Sequence, residues 1–268
     1  MEVFGKDMKI GNFILSEHGL MLASFKYKGE SEDDLGLEHT IQEVYTGNSP
    51  IPLYIGSKYS KKLGFEITIV KKCDDSSFSE FEVRDVLRNL TGMPYYQWAQ
   101  ILTENPDENL YYKCKTTSAS IKRVNGKIEG IMLSMECDSP FAWSKEYVNE
   151  FDIDAENTIM INNTSDDFYQ DYCPLIYITA QNAIEKLSIV NITNGGKETV
   201  ISNIDANETI MMDSSKQTLS SSIEGKYILD SFNFKWFSLA PGLNEIYFNN
   251  SVHLKIVSRF PRKVGIQV

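Results

Sequence analysis

Three histidines, His18, His39 and His253, are the chain's only imidazoles, and they stand far apart in sequence. None has a second ligand at metal-binding spacing, and no H-E-x-x-H run is present, so neither a zinc site nor a metalloprotease helix is written here. Four cysteines, Cys73, Cys114, Cys137 and Cys173, form no C-x-x-C pair, which argues against a zinc ribbon or a thioredoxin-like centre. They read as buried, reduced thiols. No nucleophile elbow, phosphate-binding loop or dinucleotide fingerprint occurs; Gly195-Gly-Lys197 lacks both the upstream glycine and the downstream hydroxyl that a phosphate loop needs.

Acidic pairs stand at Asp33-Asp34, Asp74-Asp75 and Asp166-Asp167. Paired carboxylates can hold a hard cation or act as a glycosidase's acid and base. All three lie in polar, turn-like sequence and none follows the EF-hand pattern, so solvated loops are expected. Tyr169, Tyr172, Tyr227 and Trp236 could stack on sugars, although aromatics in a β domain more often fill its core. No catalytic, cofactor-binding or metal-ligating residue is assigned, and the chain is expected not to be an enzyme. A formal charge of −11 opposes direct contact with nucleic acid, which requires clustered Lys and Arg. The start, Met1-Glu-Val-Phe-Gly-Lys6, lacks the basic and apolar regions of a secretion signal, and no apolar run is long enough to span a bilayer. A chain made in a cytosol, with no membrane partner, is expected.

The elements that would position these residues are mostly strands. In Lys62–Val70, Leu63, Phe65, Ile67 and Ile69 fall on one face at period two. Leu110–Thr116, Ser118–Val124 and Ile128–Cys137 follow, with Asn125-Gly126 as a hairpin turn between the last two. Thr40–Tyr45 and Ile51–Ile55 flank Pro50 and Pro52, which suit an edge better than a sheet centre. One stretch has helical spacing. In Phe78–Gly92, Val83, Val86, Leu87 and Leu90 make a stripe with Phe78 or Phe81, Ser79 and Glu82 form a capping box, and Gly92 is placed as the stop.

The second half shows no helical window. Strands are expected at Glu156–Ile161, Pro174–Ala180, Leu187–Ile192, Glu198–Ile204, Glu208–Asp213, Tyr227–Leu229 and Val252–Val257, with the serine-rich stretch 214–222 as a loop tip. Trp236–Phe248 turns at Pro241-Gly242. Leu243, Ile246 and Phe248 are expected to enter the core there, with Asn244 and Glu245 wet. Short strands between Gly, Asn and Pro turns indicate a β-sandwich, and a boundary between domains 1–146 and 147–268.

Several of these pieces, in order, resemble the distal tail proteins of siphophages infecting Gram-positive hosts. They are Asp138-Ser-Pro-Phe-Ala-Trp-Ser144 after the first β-rich half, the helix ending Leu87-Arg-Asn-Leu-Thr-Gly92, and the hairpin series Thr193–Ile204 with Glu208–Asp213. The late run Leu239-Ala-Pro-Gly-Leu-Asn-Glu-Ile246 and the closing Arg259-Phe-Pro-Arg-Lys-Val-Gly265 complete the set. The resemblance implies a mainly β protein: an N-terminal split β-barrel with one α-helix, and a C-terminal β-sandwich like a galectin or carbohydrate-binding module. It implies a virion component of the tail tip, in which six copies form a homohexameric ring. Its implied partners are the tail tube protein, the tail-associated lysin or fibre protein, and a receptor-binding protein or cell-wall carbohydrate. The family offers no catalytic residue to carry over. The alternative is a carbohydrate-binding adsorption protein that uses its C-terminal sandwich.

Overall fold

The computed structural model describes residues 7–23, 38–47, 50–72, 77–102 and 110–264. Cys73, Asp33-Asp34 and Asp74-Asp75 fall outside these. The chain divides into two compact units, Met1–Ser144 with Arg262–Val268, and Lys145–Pro261.

The first unit is a twisted antiparallel sheet with one helix. Its strands are β1 (Asp7–Ile10), β2 (Phe13–Ile14), β3 (Leu20–Leu22), β4 (His39–Val44), β5 (Leu53–Tyr59) and β6 (Gly64–Lys71). After the helix α1 (Glu80–Thr91) come β7 (Gln97–Leu102), β8 (Tyr111–Val124), β9 (Lys127–Cys137) and β10 (Ala142–Trp143). The main sheet runs β2-β1-β7-β8-β9-β6-β3, with β10 added on β8. The period-two stripe of β6 does what its spacing predicts: Phe65, Ile67 and Ile69 are buried, as is Leu63 just before it. β8 and β9 close through Asn125-Gly126, both at positive φ (49° and 81°), as a type I′ turn requires. The two strands expected on either side of Thr117 are one strand, β8, because a register shift between Thr116 and Ser118 absorbs the irregularity without ending the pairing.

The helix starts as its sequence demands. Ser79 Oγ accepts from the Glu82 amide at 3.3 Å while the Glu82 carboxylate accepts from the Ser79 amide at 2.8 Å, a complete capping box. Glu82 also pairs with Lys71 Nζ at 2.7 Å on β6, and this bond, with the Ser79 amide, holds its carboxyl down at about 2. Val83, Val86 and Leu90 are buried, with Phe78 beneath them and Phe81 outside. Gly92 stops the helix for a reason other than a left-handed cap. Its φ is −72°, but a Cβ there would sit 2.6 Å from the Arg88 carbonyl oxygen.

The second unit is a sandwich of two antiparallel sheets. Its strands are β11 (Tyr147–Ile153), β12 (Asn157–Asn163), β13 (Leu175–Ala180), β14 (Ile184–Asn191), β15 (Lys197–Ile204), β16 (Thr209–Asp213), β17 (Thr218–Ser221), β18 (Gly242–Phe248) and β19 (Val252–Ser258). One sheet runs β11-β19-β13-β16-β17 and the other β12-β18-β14-β15. Alternate residues of both, among them Ile176, Ile178, Ile210, Leu254, Leu187, Ile189, Ile201 and Phe248, form one core. A last short strand, β20 (Pro261–Arg262), joins the first unit's sheet by pairing with β10.

Three expectations in this half are corrected. Leu243 is 56% exposed and Asn244 is fully buried, the reverse of the reading from polarity. Ile246 and Phe248 fix the inward face of β18, and period two then carries residue 244 inward and residue 243 outward. The serine-rich stretch is not all loop, because β17 pairs Thr218–Ser221 with β16. Tyr227-Ile-Leu229 runs into a short 3-10 turn, Leu229–Ser231, in place of a strand.

Candidate functional site

The residues with chemical potential are not assembled. His18 lies flat on Phe13 with ring centroids 4.1 Å apart, and His39 tilts against Tyr59 at 4.3 Å. His253 Nδ1 bonds Asp152 Oδ1 at 2.8 Å across the β19–β11 pair. Cys114 and Cys137 face each other across β8 and β9, both buried. Burial pushes the Cys114 thiol up to about 12 and raises Cys137 as well, which removes the thiolate needed for nucleophilic work. Among the described residues no group of three His, Cys, Asp or Glu side chains converges to hold a metal ion.

The Asp166-Asp167 pair sits in a turn held by the Asp167 side chain and the Asp166 backbone. Asp167 Oδ1 accepts from the Tyr169 amide at 3.1 Å, and the Asp166 amide donates to the Pro261 carbonyl at 3.0 Å. Of the four candidate stacking aromatics, Tyr172 packs on Phe260 at 4.8 Å and its hydroxyl accepts from the Arg259 amide at 2.8 Å. Trp236 packs edge-on against Phe232 at 4.8 Å. Tyr169 and Tyr227 are exposed.

Two carboxylates of the second unit have the perturbed titration that often marks an active site, and both are structural fasteners. The Glu208 side chain is 0% exposed. It accepts from Lys226 Nζ at 2.6 Å, Ser221 Oγ at 2.5 Å and the Asp205 amide at 2.7 Å. Burial alone would raise its pKa, but these three donors outweigh it and hold the carboxyl below its ordinary value. Asp171 likewise gathers Lys197, Asn194 and Ser238, fastening three loops at one point. Both oxygens of the buried Glu208 carboxylate accept bonds, and the three donors of Asp171 converge on its Oδ2.

The feature that lacks a structural explanation is in the first unit. β4 and β5 form a two-stranded sheet of their own, separate from the main sheet. At its base Tyr59 stacks edge-on against Phe141 at 4.9 Å and the Ser60 amide donates to the Glu38 carbonyl at 2.9 Å. Beyond that base the ribbon is uncovered. A register shift between Gln42 and Glu43 sets Ile41 opposite Ser57 and Val44 opposite Leu53. Because cross-strand partners share a face, Val44 and Leu53 lie on one side of the ribbon; Ile41, three residues from Val44 along β4, lies on the other with Ser57, and the bulge falls at Ile55, which the register skips. Ile41, Val44, Leu53 and Ile55 are all exposed. An isolated two-stranded hairpin is marginal in water, and this one shows water apolar side chains on both of its faces. The sequence held one sign of it: Pro50 and Pro52 mark an edge. Nothing local to Ile41 or Ile55 distinguishes them from core residues.

Comparison with known proteins gives this ribbon a setting. A family described as phage tail protein N-terminal domain matches residues 4–139, and one described as phage tail C-terminal domain matches residues 141–258. The chain belongs to the phage tail proteins. No curated protein matches it in sequence. Among solved structures, this phage tail protein is similar to SPP1 Dit, described as a paradigm of the hub adsorption apparatus in phages infecting Gram-positive hosts. That match has a TM-score of 0.68 at 11% identity over 95% of this chain and 98% of that one. A chain of the phage P2 baseplate in its activated conformation with Ca matches at a TM-score of 0.53 and 10% identity, over 98% and 100% of the two chains. The same baseplate with Sr gives 0.50 and 11% over 95% and 98%. The phage tail protein therefore has the distal tail protein fold, mainly β in both units. It is a structural component of the tail by family. Among its described residues no helix is long and apolar enough to cross a membrane.

Proposed function

We propose that this phage tail protein is a tail-tip hub that works by assembly. Six copies close into a ring through their first units, and the ring joins the tail tube protein to the tail-associated lysin or fibre protein and the adsorption apparatus. No substrate is turned over. The observation that carries this reading is the uncovered β4–β5 ribbon. Burying Ile41, Val44, Leu53 and Ile55 would contribute about 6–12 kcal/mol before the cost of association, at about 1.5–3 kcal/mol for each side chain. In a closed ring every copy covers its neighbour's ribbon, so ring closure adds to what one such contact supplies. The fold shared with SPP1 Dit supports the same reading. With Tyr172 and Trp236 committed to packing, the second unit keeps only Tyr169 and Tyr227 of the four for stacking on a sugar.

The test is the mass of the purified full chain by light scattering across a concentration series. The proposal expects one assembly of six copies. Replacing Ile41 and Ile55 together by Glu should yield monomers that keep the folded circular dichroism spectrum, because neither side chain is in the core. A wild-type chain that stays monomeric at high concentration, or a doubly substituted chain that keeps its ring, overturns it.

A further inference from the structure

A cleft of about 660 Å³ opens in the first unit, between the β1–β2 turn and the segment that follows α1. That volume lies within the range of small-ligand sites, roughly 300–1,000 Å³. Its walls are aromatic. Tyr95 is 60% exposed and Trp98 is 38% exposed at the cleft. Phe13 and His18, stacked only 8° from parallel, line it as well. The walls are also fixed. The Gly11 amide donates to the Trp98 carbonyl at 2.8 Å, with Gly11 at φ +58°, and the Trp98 ring meets Trp143 edge-on at 6.3 Å. Asn12 and Gln97 also line the cleft, and neither side-chain amide has a hydrogen-bond partner among the described residues.

The lining decides the ligand class by elimination. No Lys or Arg lines the cleft to hold a phosphate or carboxylate, and no Asp or Glu lines it to hold a cation. A wholly apolar occupant would leave the amides of Asn12 and Gln97 unpaired, at a cost. Flat aromatic faces together with neutral donor–acceptor groups suit a molecule with apolar C–H faces and a rim of hydroxyls. We infer that this cleft binds a neutral hexopyranose oligosaccharide, stacked on Tyr95 and hydrogen-bonded by Asn12 and Gln97, with Trp98 at its rim. The inference concerns the first unit and does not depend on the ring.

The experiment titrates the full chain with neutral trisaccharides of glucose, galactose and N-acetylglucosamine, following intrinsic tryptophan fluorescence and heat. The expected result is saturable binding of at least one trisaccharide, unaffected by raising the salt concentration. Tyr95→Ala, a change at an exposed side chain, should weaken it at least tenfold with the thermal melt unchanged. Gln97→Ala should weaken it several-fold. Trp98→Ala should abolish the fluorescence response; should that variant unfold, Tyr95→Ala alone carries the test. The plain and N-acetylated sugars separate ordinary hexose from amino-sugar polymers as the source. Absence of binding to all three overturns the inference, and so does binding that survives Tyr95→Ala, which would place the sugar elsewhere. A Tyr95→Ala chain that loses its assembly mass while no sugar binds would show a protein neighbour filling the cleft, and also overturns it.

Discussion

Asn191 and Asn244 meet inside the second unit, where Asn191 Nδ2 donates to Asn244 Oδ1 at 2.9 Å and neither side chain reaches water. The same Asn244 oxygen accepts from the Ala240 amide at 2.8 Å, and its Nδ2 donates to the carbonyls of Ala240 at 2.7 Å and Gly242 at 2.9 Å. Asn163 Nδ2 adds bonds to the Leu239 and Ala240 carbonyls at 3.2 and 3.1 Å. The Pro241-Gly242 turn is thus held from within by buried amides. Asn244→Ala would orphan the Ala240 and Gly242 backbone groups and one Asn191 donor, so we expect a loss of about 2–4 kcal/mol and a melting temperature lower by about 10 °C. In a double-mutant cycle Asn191→Ala should add much less in the Asn244→Ala background than alone. Additive effects would mean that the two amides are not one network.

Glu208 and Lys226 set the pH limits of the same unit. The folded carboxyls of Glu208, Asp213 and Asp171 lie below their ordinary values of 4.5, 3.8 and 3.8, so each contributes stability above that value and loses it as pH falls through the folded pKa. For Lys226, burial would lower the pKa, but Asp205 and Glu208 outweigh it and raise it above 10.5. Its contribution is complete below 10.5 and fades as pH rises beyond. Urea midpoints should therefore be flat near neutrality and fall below about pH 4. Glu208→Gln should lower the midpoint at pH 7 and flatten the acid limb. An acid limb of unchanged steepness in Glu208→Gln would remove Glu208 as its source.

The helix is where sequence and structure agree most closely, and its end gives a sharp test. Gly92→Ala places a Cβ against the Arg88 carbonyl, so we expect about 1–3 kcal/mol of destabilisation. Ser79→Ala, which removes the cap at the other end, should cost about 1 kcal/mol. Leu90→Asp should exceed both, since Leu90 is buried and Thr116 Oγ1 bonds its carbonyl at 3.0 Å. A thermal melt series ranking Ser79→Ala above Gly92→Ala in damage would contradict the geometric reading of Gly92.

What could be read from the chain in advance was what neighbours in sequence decide. The Ser79–Glu82 box, the Asn125-Gly126 turn and the period-two stripe of β6 each depend on residues within a few positions of one another. Asn244 could not be read this way, because its burial is affordable only through Asn191 and Asn163, contributed by strands β14 and β12. The exposure of Ile41 and Ile55 was hidden for the opposite reason: an apolar residue looks the same whether its cover is its own chain or another. Nothing in the sequence around Tyr95 and Trp98 sets them apart, since only the Gly11-Asn12 turn, far off in sequence, makes a cleft of them. No site residue was assigned from sequence, because the acidic and histidine residues that suggest chemistry are dispersed among turns and pairs.

Phe234 offers a test of strain. It sits at φ +60°, a left-handed conformation that costs a residue with a Cβ about 1–2 kcal/mol, and it is 64% exposed. Asn233 imposes that geometry: its amide donates to the Val200 carbonyl at 3.1 Å, its Nδ2 to the Glu198 carbonyl at 2.9 Å, and its Oδ1 accepts from the Lys235 amide at 3.1 Å. With the chain pinned to β15 on one side and turned back on the other, residue 234 has no other conformation open to it. Phe234→Gly or Phe234→Asn, both tolerant of positive φ, should therefore stabilise the unit by about 1 kcal/mol and raise its melting temperature by a few degrees. The opposing term is the tilted contact of the Phe234 ring with Phe232, at 5.6 Å between centroids, which is weak at so exposed a position. A melting temperature that falls in both variants would show that this ring contact outweighs the backbone strain.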